Sequence, residues 1–114
     1  MPRRSTGSKE RRCSMGPEAK VVKRIRDWVK KAGGFSVKLS GSELLAGIPD
    51  LVVVLPRWEG CQAVTVFIEV KVPGEHPTRL QAAMIDKINS HGGRAFVAHS
   101  VDEVVGELGT RGIL

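Results

Sequence analysis

Two apolar runs that carry ionisable residues at one end constrain this chain more than any other feature. The first reads Asp50-Leu51-Val52-Val53-Val54-Leu55 behind Gly47-Ile48-Pro49, and the second reads Thr65-Val66-Phe67-Ile68-Glu69-Val70-Lys71. Both have the β-branched, apolar make-up of strands. Side chains alternate along a strand, so Glu69 and Lys71 share a face from which Val70 points away. The stretch Pro56 to Gln62 is a turn, and antiparallel pairing across it returns the end of the second strand to the start of the first. Asp50 then reaches the face of Glu69 and Lys71. Burying an unpaired carboxylate costs roughly several kcal/mol unless something compensates it. Two carboxylates and a lysine on one point suit a divalent cation beside a phosphate. The plainer alternatives are strand-edge capping by Asp50 and a solvated edge pair for Glu69 and Lys71. Ile68, Val70 and Val72 argue instead for a half-buried strand.

At 114 residues the chain has the length of one domain with a single modest core. No run reaches the ~18 apolar residues of a membrane span, and the polar N-terminus lacks the apolar centre of a signal peptide. A cytoplasmic protein with no membrane partner is expected. Cys13 and Cys61 form no CxxC pair, and His76, His91 and His99 show no zinc spacing relative to them. Free thiols fit better than a bridge or a structural zinc.

The net charge of +6 is unevenly placed. Arg3, Arg4, Lys9, Arg11 and Arg12 stand against Glu10 alone in residues 1–16, among Ser, Thr, Gly and Pro. This stretch reads as a basic flexible arm before a folded domain over 17–114. Two readings fit it: an electrostatic tether for nucleic acid, or a solubilising tail.

Pro17 suits the first turn of a helix, and Val21, Val22, Ile25, Trp28 and Val29 recur at helical spacing. Gly33-Gly34 ends that helix. Glu18 stands three and four residues before Val21 and Val22, which aligns it with the inward stripe. A carboxylate favoured by the helix N-terminus is the bland account of it. Phe35 to Ser40 alternates as a strand, with Lys38 on its polar side, free to contact phosphate or simply solvated. Thr78 caps a second helix whose buried stripe is either Leu80, Met84 and Ile88 or Gln81, Ile85 and Ile88. Thr78-x-x-Gln81 fits a capping box. Arg94 to His99 is a strand, and Ser100-x-x-Glu103 caps a last helix. Trp58 and the terminal Ile113-Leu114 have no evident place in the core. The order is α-β-β-β-α-β-α, an α/β class whose crossover helix implies one parallel pairing in a mixed sheet.

Pro-Asp, a spacer, then Glu-x-Lys resembles the signature of the PD-(D/E)xK nuclease superfamily. The surrounding pattern is most similar to its VRR-NUC branch: Glu18 on an early helix, Gly47-x-Pro49-Asp50 opening one strand, Glu69-Val70-Lys71 closing the next, and Gln81 beginning the following helix. The resemblance runs from Pro17 to the C-terminus and implies a restriction-endonuclease-like core in a minimal, stand-alone, phage-like member. It further implies a Mg²⁺- or Mn²⁺-dependent DNA endonuclease, structure-selective for branched or Holliday-junction-like DNA. A homodimer without a small-molecule cofactor, in a bacterial or phage-infected cell, is the matching expectation. A non-catalytic nucleic-acid-binding module of the same fold, or a protein-interaction domain, is the alternative.

On that resemblance Asp50 and Glu69 are the first metal ligands, the Val70 carbonyl a third, and Glu18 completes the shell directly or through water. Lys71 orients the attacking water or steadies developing negative charge. Gln81 faces the scissile phosphate or the metal waters, a role that stands beside its capping-box reading. Lys38 and the arm arginines and lysine are the expected nucleic-acid contacts.

Overall fold

A proline at the first helical position opens α1 (Pro17–Lys31), where Gly16 provides no side-chain cap. The computed structural model describes residues 16–39, 46–56 and 62–114. The five basic residues of the arm, Cys13, Cys61 and Trp58 lie outside the described residues. The helix ends as the glycine pair implies: Gly33 takes φ +89°, and the Gly34 N–H donates to the Val29 carbonyl at 3.0 Å. Gly34 is also obligatory for packing, because a Cβ there would lie 2.3 Å from the Val54 carbonyl oxygen.

The chain continues through β1 (Phe35–Lys38), β2 (Leu51–Leu55), β3 (Val64–Val70), α2 (Arg79–Ser90), β4 (Ala95–Ala98) and α3 (Val101–Thr110). The four strands form one sheet in the order β1-β2-β3-β4. The first two pairings are antiparallel and β3 pairs with β4 in parallel, so the sheet is mixed and the order of elements is the expected one.

Register decides which residues share a face. Leu51 pairs with Ile68 and Val53 with Val66, and these side chains point with Phe96 and Ala98 into the main core. Val21, Val22, Ile25 and Val29 of α1 and Val104 and Leu108 of α3 close that core from above. The opposite face carries Val52, Val54, Phe67, Glu69, Ala95 and Val97. Helix α2 packs on β4, and the Asn89 amide clamps Ala95 by donating to its carbonyl and accepting from its N–H, both at 2.9 Å.

Three local readings are corrected, and one of the two stripes open for α2 is selected. Ile113 is buried in the core rather than left at the surface, because its N–H returns to the Leu108 carbonyl at 2.9 Å; only Leu114 is exposed. On α2, Ile85 is the buried residue and Leu80 is 63% exposed, so the stripe with Gln81 and Ile88 faces the sheet. Strand β1 ends at Lys38, and its apolar side, Phe35 and Val37, is exposed. Glu18 is exposed on the first turn of α1 rather than aligned inward with Val21 and Val22.

Candidate active site

The β2–β3 hairpin brings the charged residues together. Asp50 immediately precedes β2, and its Oδ2 accepts a 2.8 Å hydrogen bond from the Val70 N–H. That bond ties the start of one strand to the end of its neighbour. Glu69 is buried on β3, with 2% of its surface exposed. Its Oε2 lies 3.9 Å from the Lys71 ammonium, whose side chain is 14% exposed. Its Oε1 is buried without a hydrogen-bond partner.

A buried carboxylate oxygen without a partner costs free energy that something must offset. The protein offsets it here by holding the proton. Burial first, then the negative charge of Asp50, pushes the Glu69 carboxyl up to about 8, while Lys71 opposes the shift. Glu18 adds a weaker push in the same direction as Asp50. The pair therefore shares one proton at neutral pH and presents hard oxygen donors, of which Glu69 Oε1 has no partner.

Among the described residues, no group of three or more His, Cys, Asp or Glu side chains is placed to hold a metal ion. Asp50 and Glu69 therefore form a two-carboxylate pair, and Glu18 influences it through charge rather than as a third member. Further ligands would have to come from main-chain carbonyls or water. Val70 ends β3 between Glu69 and Lys71, and its N–H is bound to Asp50.

The loop before Asp50 is shaped by Gly47, at φ +86°. A Cβ at this position would lie 2.8 Å from the Leu80 carbonyl oxygen, so the loop is packed against the first turn of α2. Gln81 sits on that turn, half-buried. Its N–H donates to Thr78 Oγ1 at 3.2 Å, and its Oε1 accepts from the Thr78 N–H at 2.8 Å, completing the capping box. The bland account of Gln81 holds in this structure, and the helix N-terminus it caps abuts the Asp50 loop.

Lys38 is placed elsewhere. It pairs with Leu51, which pairs with Ile68, so it projects on the α1 side of the sheet, opposite Glu69. Sequence alternation alone could not show this, because it needs the register between strands. His99, unremarked as a site residue, accepts a structural role: its Nδ1 contacts Glu103 Oε1 and its Nε2 the Glu75 carbonyl, both at 2.8 Å. It thereby fastens the loop after Lys71 to the start of α3.

With this geometry in place, comparison with known proteins is decisive about kinship. The model of the VRR-NUC domain matches residues 21–102. A protein named "Putative nuclease p44", from Acyrthosiphon pisum secondary endosymbiont phage 1, is 32% identical over 85 residues, spanning 75% of this chain and 85% of that protein. A solved structure described as a VRR_NUC domain superposes with a TM-score of 0.68 at 32% identity, covering 82% of this chain and 95% of the other. Asp50, Glu69, Lys71 and Gln81 all fall inside the matched segment. This chain belongs to the VRR-NUC domain family.

Proposed function

We propose that this chain is a Mg²⁺- or Mn²⁺-dependent endonuclease that hydrolyses phosphodiester bonds in DNA, acting as a homodimer on branched DNA. Membership of the VRR-NUC family and similarity to a phage protein named as a nuclease support a nuclease. The observation that carries the metal dependence is the buried, partnerless Glu69 Oε1 beside Asp50 and Lys71.

Asp50, Glu69 and the Val70 carbonyl would hold the cation, with Glu18 reaching it through water. Once bound, a divalent cation supplies an activated water and offsets charge on the phosphate and the leaving oxygen. The protein's own part is positional. Asp50 is fixed by the Val70 N–H, and Glu69 would give up its proton to solvent in order to hold the cation. Lys71, held at the same strand end, steadies negative charge on the phosphate as water attacks in line. Gln81 at the α2 N-terminus faces the same phosphate when its capping bond to Thr78 opens.

One site cuts one strand, so a two-fold pair of chains suits a junction with its own approximate symmetry. The exposed Leu114 is a candidate contact in that pair. The deciding experiment incubates the full chain with four-way, flap and linear DNA, with Mg²⁺, Mn²⁺ or EDTA, alongside light scattering at micromolar concentration. Metal-dependent cutting that favours the four-way substrate is the expected result. Binding without cutting in either metal would leave the non-catalytic module in its place, and a monomer that cuts every substrate equally would remove the dimer and the selectivity.

A further inference from the structure

The richest unassigned feature is a groove of about 560 Å³ between α1 and β1, on the opposite side of the sheet from Glu69. Lys23, Arg26, Asp27 and Lys30 line it from the helix, and Ser36 and Lys38 from the strand. The helical residues fall at spacings of three and four, so they form one face of α1 overlooking the sheet edge. Ser36 and Lys38 pair with Val53 and Leu51, which turns both towards the helix. Four cations and one acid therefore converge on a single concavity.

The groove is built rather than incidental. Arg26 Nε donates to Ser36 Oγ at 2.9 Å, and its Nη2 to the Ser36 carbonyl at 3.3 Å, which fixes one guanidinium across the floor. Lys23 pairs with Asp27 at 2.8 Å. Among the described residues, no acid pairs with Arg26, Lys30 or Lys38. Charge on an edge strand commonly serves only to discourage strand pairing. That would explain Lys38 but not the helix cations turned towards it, which raise the repulsion within the groove.

We infer that this groove binds the phosphate backbone of a DNA strand as it leaves the carboxylate site, an inference that rests on the nuclease reading above. Two distances support it. Lys23 and Lys30 are about 10 Å apart along α1, which matches about three phosphates of one strand at ~3.4 Å of duplex axis each. The groove also begins beside the site: Lys38 pairs with Leu51, the residue after Asp50, and the Leu39 N–H donates to the Asp50 carbonyl at 2.7 Å. On this inference a strand that rounds the β1 edge would run from the carboxylates into the groove. Such contacts fix position and register without reading sequence.

The test measures binding apart from cleavage. Anisotropy of labelled single-stranded and duplex DNA is followed in EDTA against increasing NaCl, using the full chain. The triple variant Lys23→Gln, Lys30→Gln, Lys38→Gln is expected to bind about tenfold or more weakly at low salt and to lose two to three from the log–log slope, at ~0.9 per duplex phosphate and ~0.7 per single-strand phosphate. Asp27→Asn removes the one acid and should tighten binding and steepen the slope, a gain that misfolding does not imitate. Wild-type affinity and slope in the triple variant, or weaker binding by Asp27→Asn, would overturn the groove. Cutting in Mg²⁺ is scored separately on the wild-type chain. A chain that cuts with a slope indifferent to these changes loses the groove alone, and one that binds through the groove without cutting loses the nuclease reading alone.

Discussion

The Val70 N–H donates to Asp50 Oδ2 at 2.8 Å, so one carboxylate both neighbours Glu69 and closes the open end of a hairpin. Its removal has two consequences that separate by substitution. Asp50→Ala should abolish cleavage and also leave the Val70 N–H without its acceptor, at a cost of about 1–3 kcal/mol. Asp50→Asn keeps an acceptor oxygen, so it should lose cleavage with a smaller loss of stability. Urea denaturation of both variants in EDTA checks the difference; equal stabilities would mean that the bond does not hold the hairpin. Lys71→Ala should lose cleavage at little cost to the fold.

Glu69 makes the metal-free protein sensitive to alkali. Its carboxyl is raised to about 8 from an ordinary 4.5, so between these values the folded chain holds a proton that the unfolded chain has released. Stability therefore falls as pH rises from about 4.5, by at most ~1.4 kcal/mol per pH unit, and levels off above about 8. Glu69→Gln should flatten that slope while abolishing metal-dependent cleavage. Denaturation midpoints across this range in EDTA provide the measurement, and an unchanged slope in the variant would place the titration elsewhere. Mg²⁺ should release a proton on binding below pH 8.

His99 contributes a second, smaller alkaline loss. The Glu103 carboxylate, then the Glu75 carbonyl, raise its pKa above the ordinary 6.5. The protonated ring favours the folded state, so this contribution is complete below about 6.5 and disappears as pH rises through the higher value. Glu103→Gln should move the His99 ring titration downwards by NMR; a titration that stays put would show that the pair does not persist in solution.

Gly47 should tolerate a side chain less well than Gly74, although both have positive φ, +86° and +92°. A Cβ at Gly47 meets the Leu80 carbonyl at 2.8 Å, while nothing lies within 4 Å of one at Gly74. Gly74→Ala should cost about 1 kcal/mol from backbone strain alone. Gly47→Ala should cost more and also slow cleavage, since it pushes the Asp50 loop off α2. Thermal melts and cleavage rates of the two variants, compared side by side, are the check.

Much of this architecture was legible in residue patterns because the physics behind it is local. The β-branched, apolar make-up of Leu51–Leu55 and Val64–Val70 specified strands, the short connection required antiparallel pairing, and Thr78-x-x-Gln81 announced a cap that the structure reproduces bond for bond. What escaped is non-local. Alternation groups Phe35 with Val37 but cannot say whether another layer covers them, and none of the described residues does so fully. Spacing aligned Glu18 with Val21 and Val22, yet a residue in a first turn can overhang the core it leads into. Lys38 and Glu69 occupy opposite faces only because Lys38 pairs with Leu51 and Leu51 with Ile68. Ile113 joined the core through a chain reversal after Gly112, which no periodicity announces.

The hairpin has its chemistry at one end and its connection at the other. Five residues of β2 separate Asp50 from Pro56, which sets the two about 20 Å apart at ~3.4 Å per residue. Length added between Pro56 and Val64 would therefore accumulate without disturbing the carboxylate pair. A label, a fusion or a new specificity joined at this end is therefore expected to leave the carboxylate pair as it stands.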